Sequence, residues 1–203
     1  AIGLNATTPS SNAVREPVIN LIMPAGLPPM PAAKLIPIVK IPDPILRQIA
    51  QPVDVITDGV RQLLDDMAAT MYDAPGIGLA APQINVSQRL VVIDCGKDDA
   101  PELYKMVNPE IIALSEEQAV LEEGCLSIPD QTAEVTRPAE VSIRYLDETG
   151  TSQTLTADGL LAACIQHEID HLNGVLFIDH ISRLKRDMIT RRVMKELRQT
   201  TAS

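Results

Sequence analysis

The sequence predicts an α+β domain in which antiparallel β-sheets wrap around one central helix, with a further helix at the C-terminus. Three observations carry this prediction. Short apolar or alternating stretches, separated by turn residues, occupy the middle of the chain and are typical of β-strands. Longer stretches repeat their apolar residues every three or four positions, as helices do. With 203 residues, 45% of them hydrophobic, the chain can bury one core.

The first long helix is predicted to begin at Thr57 or Asp58, either of which can cap it, and to end at Pro75-Gly76. A shorter helix is expected before it, at residues 45–50. The apolar face of the long helix has regular helical spacing and comprises Val60, Leu63, Leu64, Met67 and Met71.

Five short strands are predicted after this helix, at residues 89–94, 104–107, 119–122, 140–146 and 152–156. The first of them is continuously apolar, as a strand buried on both faces is. Residues 140–146 alternate between apolar and polar, as a half-buried strand does, and the turn sequence Glu148-Thr149-Gly150 follows them.

The central helix opens after Asp158 and closes at Gly174. It contains the motif His-Glu-x-x-His at residues 167–171. Residues four apart lie on one face of a helix, so the imidazoles of His167 and His171 converge. Two neutral imidazoles at this spacing can chelate a divalent cation, and Glu168 can move a proton for a water molecule held there.

A catalytic metal also needs a third protein ligand. Phe177 stands where a large class of metalloproteases has a third histidine, so that reading fails. His180 would reach the metal only through a tight chain reversal. Cys164 shares the helix face but lies about 10 Å along the axis from His171, beyond the reach of a thiolate. We therefore interpret Cys164, like Cys95, as a core or pocket thiol.

Cys125 follows a predicted strand in Glu123-Gly124-Cys125-Leu126-Ser127, beside acidic residues that would suit a cation. These residues alone fit a buried structural cysteine equally well. A second segment, Gly-Ile-Gly-Leu-Ala-Ala-Pro-Gln at 76–83, favours the interpretation of Cys125 as the third metal ligand. It follows a helix and has no Lys-Ser/Thr, so a phosphate-binding loop is poorly supported. Small residues that end in an uncharged amide better suit a loop facing a substrate.

Residues 76–83, 123–127 and 166–172 together resemble the three signature motifs of peptide deformylases, in the family's order and at its separations. The likeness extends from about Leu35 to the C-terminal helix. It implies a hydrolase that removes the N-formyl group from the initiator methionine of new polypeptides and releases formate. The likeness places a catalytic domain at 35–180. Residues 1–34 are rich in Pro, Ser, Thr and Asn with little charge, so we expect them to form a flexible N-terminal extension.

The resemblance also implies roles for individual residues. Cys125, His167 and His171 would hold one divalent metal, with Glu168 as the general acid and base. Gln83 and the backbone N–H of Leu126 would stabilise the oxyanion. The resemblance places the substrate among Ile77, Gly78, Leu121, Glu123, Gly124, Leu160, Ala163, Cys164 and His167. It pairs Arg137 with Glu123, and it implies ferrous iron as the working metal, with zinc, nickel or cobalt in purified protein.

Two other kinds of protein share the metal-binding helix. A zinc endopeptidase would cut inside peptides, and a binding protein with a structural metal would need a fourth protein ligand and would unfold without the metal. The first is separated from a deformylase by its products. The second is separated by the effect of metal removal on the fold.

The amino-acid composition of the chain excludes some classes of binding partner. A net charge of −10 and 2% aromatic residues argue against DNA binding, and no apolar run is long enough to span a membrane. Three cysteines without a pairing pattern and the lack of a convincing signal favour a bacterial cytoplasm over an organelle. Residues 181–203 predict a basic helix, with seven basic residues against two acidic ones. This helix is either a solvated face or a docking surface for the ribosome.

Overall fold

The computed structural model describes residues 33–96 and 100–201, and the side chains as far as Gln199. The α-helices are α1 (Asp58–Asp73), α2 (Gly159–Leu172) and α3 (Arg183–Thr201), and short 3-10 helices span Pro44–Arg47, Ala81–Ile84 and Phe177–Asp179. The strands are β1 (Gly78–Ala80), β2 (Leu90–Asp94), β3 (Leu103–Leu114), β4 (Gln118–Cys125), β5 (Ile128–Pro138), β6 (Glu140–Leu146) and β7 (Ser152–Asp158). The predicted extension lies outside the described residues except for residues 33 and 34.

The strands form two antiparallel sheets. One has five strands in the order β1-β2-β3-β6-β7, and the other is the hairpin of β4 and β5. β2 is buried on both faces because α1 and α2 pack on opposite sides of the larger sheet. Val91 and Ile93 point to the α2 side, whereas Leu90 and Val92 point to the α1 side. This explains why the strand is apolar at successive positions.

α2 is the central helix of the fold, as predicted. Cys164, Ile165, Ile169 and Leu172 face the larger sheet, and the β4–β5 hairpin lies on another side of the helix. A helix enclosed in this way is buried around most of its circumference, and residues 162–169 are all buried. The predicted α+β fold is confirmed.

α3 packs on a third cluster of apolar residues, built from the hairpin and the segment after α2. Val193 of α3 is fully buried there, beside Val135 and Phe177. The helix is therefore attached through a packed apolar face, while six of its seven basic residues are exposed. Among the described residues, none of the helices is both long and apolar enough to cross a membrane.

The structure corrects several predicted elements. The helix expected at 45–50 is a 3-10 turn at Pro44–Arg47, and β3 runs seven residues further than the predicted 104–107. Asn108 takes a left-handed conformation (φ 51°) and the pairing of β3 with β6 shifts there, so the strand continues past Pro109 through an irregularity. β1 and β5 were not predicted.

Candidate metal and substrate site

β4 and α2 bring the three predicted metal ligands together. Their ligand atoms, in Cys125, His167 and His171, all lie within 4.8 Å of one another, and all three residues are buried. Two residues along a strand span about 6.6 Å, and one helical turn of four residues spans about 6 Å. Glu123 and Cys125 on β4 can therefore face His167 and His171 on α2 in matching positions.

The donor set fits a divalent metal of the zinc and iron type. Sγ of Cys125 lies 3.3 Å from Nε2 of His171, so a thiol and an imidazole already face each other. Burial lowers the pKa of His171 well below its ordinary value and favours the neutral imidazole, which is the form that binds metals. One sulfur and two imidazole nitrogens suit zinc, iron, nickel or cobalt rather than calcium or magnesium.

Glu123 orients the first histidine. Its Oε2 lies 2.9 Å from Nδ1 of His167, so the ring donates there and leaves Nε2 for a metal. Burial would lower the pKa of His167, but its hydrogen bonds with Cys125 and Glu123 raise it well above its ordinary value. Burial would likewise raise the pKa of Glu123, but hydrogen bonds from His167 and Arg137 lower it to about 2. The predicted pair of Arg137 and Glu123 is present, at 2.6 and 3.0 Å.

Glu168 follows His167 directly on α2 and is buried beside the donor cluster. The residue is 1% exposed, and its Oε2 is buried without a hydrogen-bond partner. Burial raises the pKa of Glu168 to about 7. A carboxyl group with this pKa can both accept and donate a proton near neutral pH.

Gln83 is held with its amide group toward the same centre. The backbone N–H of Ala80 donates to its Oε1 at 2.9 Å, which fixes the direction of the amide. The Nε2 group donates to Oγ of Ser127 at 3.2 Å and lies 3.6 Å from Sγ of Cys125. A fixed amide donor beside the metal ligands can stabilise a negative oxygen formed there.

The remaining predicted substrate residues lie on α2, on β4 and just before β1, and they differ in how deeply they are buried. Leu160, Ala163, Cys164 and His167 follow one stripe of α2, and Leu121 lies two residues before Glu123 on β4. Ile77 is buried and its carbonyl lies 3.7 Å from Sγ of Cys164. Leu160 is 39% exposed, at the outer end of the stripe.

A cleft of about 400 Å³ opens next to Cys125. Gly124 and Leu126 line it from the turn of the hairpin, and Ala74 and Pro75 line it from the end of α1. Thr132 also lines the cleft and donates to Glu122. The cleft therefore reaches one member of the donor cluster, Cys125.

The rejected ligand candidates have other roles. The ring of Phe177 stacks on that of His167, with centroids 6.3 Å apart. Nε2 of His180 lies 2.7 Å from Oδ2 of Asp170. Cys164 is buried in the apolar cluster between α2 and the larger sheet. Cys95 packs against this cluster but is only partly buried, so the prediction that it is a core residue is confirmed in part.

Sequence reasoning missed Ser127 and Asp170. Ser127 is fully buried and accepts from the Gln83 amide. Asp170 accepts from Arg137 at 2.8 Å. Both lie inside the recognised motifs, but only their three-dimensional partners reveal their contacts.

Comparison with known proteins places this site in a family. Residues 35–187 match the family model of polypeptide deformylase. The chain belongs to the polypeptide deformylase family. A peptide deformylase of Mesorhizobium japonicum is 58% identical over 160 residues, which cover 78% of this chain and 91% of that protein.

Solved deformylase structures agree. A peptide deformylase from Legionella pneumophila superposes with a TM-score of 0.78 at 46% identity, covering 83% of this chain and 99% of that one. A class I type b peptide deformylase from Acinetobacter baumannii, solved with Met-Ala-Ser bound, gives a TM-score of 0.69 at 39% identity, covering 73% and 99% of the two chains. The predicted family and enzyme class are confirmed.

Proposed function

We propose that this chain hydrolyses the formyl amide of N-formylmethionyl peptides and releases formate. The observation that carries this proposal is the convergence of Cys125, His167 and His171 beside the unpartnered Oε2 atom of Glu168, within a deformylase family match. The Acinetobacter baumannii relative binds Met-Ala-Ser, which is the peptide that deformylation of formyl-Met-Ala-Ser would leave.

Cys125, His167 and His171 would hold the metal, and we propose ferrous iron as the working ion. A thiolate and two neutral imidazoles would leave a divalent ion with a net charge of about +1. When bound, such an ion supplies a Lewis acid that makes nearby water more acidic. Within the described residues, these three form the group that could hold a metal, and three protein ligands would leave room for water and substrate.

Glu168 would move the proton. Its Oε2 takes a proton from the attacking water and returns it to the amine nitrogen as the formyl C–N bond breaks. The pKa of about 7, raised by burial, suits a group that must act first as a base and then as an acid. Within the described residues, Oε2 has no hydrogen-bond partner, so it would be available to accept the proton from water.

Gln83 and Leu126 would stabilise the negative charge that develops on the formyl oxygen. The amide of Gln83 is oriented by Ala80 and Ser127, and its Nε2 group points toward Cys125, where the formyl oxygen would take the place of the sulfur as acceptor. The backbone N–H of Leu126 follows Cys125 directly and is the second proposed donor. Gln83 and Leu126 would stabilise the negative charge on the formyl oxygen, while Glu168 would take the positive charge as the proton of the attacking water.

The methionine side chain would lie along the apolar stripe of α2. Ala163, Cys164 and the ring of His167 form its buried part, Leu160 its outer end, and Ile77 and Leu121 its sides. Gly78, Glu123 and Gly124 are proposed to contact the substrate main chain. Gly78 and Gly124 have no side chain, so a peptide backbone can approach them closely.

The products of the reaction separate this proposal from an endopeptidase. Incubation with formyl-Met-Ala-Ser and an internal-sequence peptide is followed by mass spectrometry and a formate assay. We expect formate and intact Met-Ala-Ser, with no cleavage of the second peptide. Cleavage between amino acids without formate would support an endopeptidase and refute the proposal.

We also propose that the basic face of α3 docks on the ribosome, where new formylated chains appear in the bacterial cytoplasm. Arg183, Arg191 and Arg198 are exposed on this helix. Deleting α3 would expose the core around Val193, so exposed charges should be reversed instead. Salt-sensitive co-sedimentation with ribosomes should weaken in R191E/R198E; unchanged binding would refute this docking.

A further inference from the structure

A continuous line of polar contacts runs from the surface to the first metal-binding histidine. His180 lies 2.7 Å from Asp170, which accepts from Nη1 of Arg137 at 2.8 Å. Arg137 donates from Nε and Nη2 to Glu123, whose Oε2 lies 2.9 Å from Nδ1 of His167. Every link is a charge-assisted hydrogen bond or ion pair.

The line becomes more buried toward the donor cluster. The side chains of His180 and Asp170 are 33% and 21% exposed, whereas those of Arg137 and Glu123 are 7% and 4% exposed. A guanidinium buried this deeply needs partners for its donors, and Glu123 satisfies only one edge of it. Asp170 takes the remaining Nη1 group and so fixes the rotation of the guanidinium plane.

The orientation of Arg137 determines the orientation of Glu123. Both carboxylate oxygens of Glu123 are engaged by Arg137, and one of them also faces His167. If the guanidinium rotates, Oε2 moves away from Nδ1 and the His167 ring loses its support. Carboxylates that support a metal-binding histidine typically contribute about 10- to 100-fold to metal affinity.

We propose that Asp170 is a positioning residue that acts through Arg137 and Glu123 to hold the His167 imidazole in its metal-binding orientation. This inference rests on the proposed metal-binding role of His167. It gives the acidic residue inside the motif a task distinct from proton transfer by Glu168. Asp170 itself lies on the side of α2 that faces Arg137 and His180.

The test compares D170N with D179N in the cobalt-loaded full-length protein. Asp179 is a matched control, since it is 26% exposed, pairs with Arg47 and Arg186, and is not part of the line to His167. Stopped-flow mixing with an excess chelator gives the rate of cobalt release, and visible absorption reports the ligand geometry. A merely structural role would alter thermal stability in both variants without a selective change in either signal.

We expect D170N to release cobalt about three- to tenfold faster than the wild type, somewhat less than the loss of a direct support would cause. Its cobalt spectrum should shift, while D179N should match the wild type in both signals. In an E123Q background, D170N should add less than about twofold, because a residue that acts through Glu123 has no further effect once that carboxylate is lost.

Cobalt release from folded D170N at the wild-type rate would overturn the proposal, as would the full effect persisting in E123Q. Formate release by the cobalt-loaded wild type, measured in parallel, tests the proposed function separately. Metal-dependent positioning by Asp170 with no formate release would leave this inference standing and refute only the proposed reaction.

Discussion

The backbone of Gly78 lies directly against the carboxylate of Glu168. A Cβ atom at position 78 would be 2.3 Å from Oε1 of Glu168 and 2.8 Å from Sγ of Cys164. Real Cβ atoms do not approach other atoms so closely, so any side chain here must displace the proposed acid and base or the pocket thiol. This contact explains why a glycine is needed at the start of β1, although glycine is otherwise unfavourable in a strand.

Gly78→Ala is therefore expected to lower kcat/KM by at least about tenfold, since a shift of 1 Å in a catalytic group can cost as much as 100-fold. Steady-state kinetics with formyl-Met-Ala-Ser measure this. Gly59→Ala is the control, because its Cβ would lie 3.5 Å from Oγ1 of Thr57, an ordinary contact. Full activity in G78A would contradict the proposed role of Glu168.

Gln83→Leu should lower kcat by about 10²–10³ while the bound metal stays unchanged, since the proposed oxyanion donor is lost and the ligands remain. Kinetics and elemental analysis on the same preparation separate the two effects. Gln166→Leu serves as the control, because Gln166 is also buried but donates to the carbonyls of Pro138 and Ala162. Parallel loss of metal and activity in Q83L would refute the proposed role.

Glu168→Gln should retain its metal and lose about 10²–10⁴ of turnover, because the amide cannot accept the proton. Glu122→Gln, at a partly exposed carboxylate on β4, should stay close to the wild type. Single-turnover formate release measures the chemical step for both variants. If E168Q turns over at the wild-type rate, proton transfer must involve another group.

Cys125→Ser should weaken metal binding by more than about 100-fold, because a direct ligand contributes more than the groups that support it. Cys164→Ser is the matched control, since both thiols are buried but only Cys125 belongs to the donor cluster. Competition with a colorimetric chelator gives both affinities. Equal affinities in the two variants would remove Cys125 from the site.

Metal removal should silence the protein without unfolding it, because the fold has its own apolar core around α2. Loss of a ligand present at about 100 times its Kd removes about 2.7 kcal/mol of stability. At about 2–4 °C per kcal/mol, the melting temperature should fall by about 5–10 °C. Far-UV circular dichroism before and after chelation checks this, and an unfolded metal-free protein would instead indicate a structural site.

Periodicity predicted the elements in which buried positions carry apolar side chains. The face of α1 is as expected, with Leu64, Met67 and Met71 fully buried. β5 could not be found in this way, because two of its buried positions carry Gln131 and Arg137. Arg137 contacts Glu123, which in turn contacts His167. Because a charged residue occupies this buried position, the apolar and polar alternation that marks a strand is lost.

The site was predictable to a similar degree. The spacing of His167 and His171 on one helix face predicts their convergence, but the third ligand comes from a strand 42 residues away in sequence. Residue chemistry alone left Cys125 undecided, and the family motifs were needed to choose it. The contact of Asp170 with Arg137 arises only when β5 packs beside α2, so no local pattern reveals it.

Metal-dependent deformylation is tested by measuring formate release from formyl-Met-Ala-Ser while divalent metal is titrated into the metal-free protein. We expect formate release to rise in proportion to bound metal and to reach its limit at one ion per chain, with Met-Ala-Ser left intact. A folded, fully metal-loaded protein that releases no formate would show that the chain is not a metal-dependent deformylase.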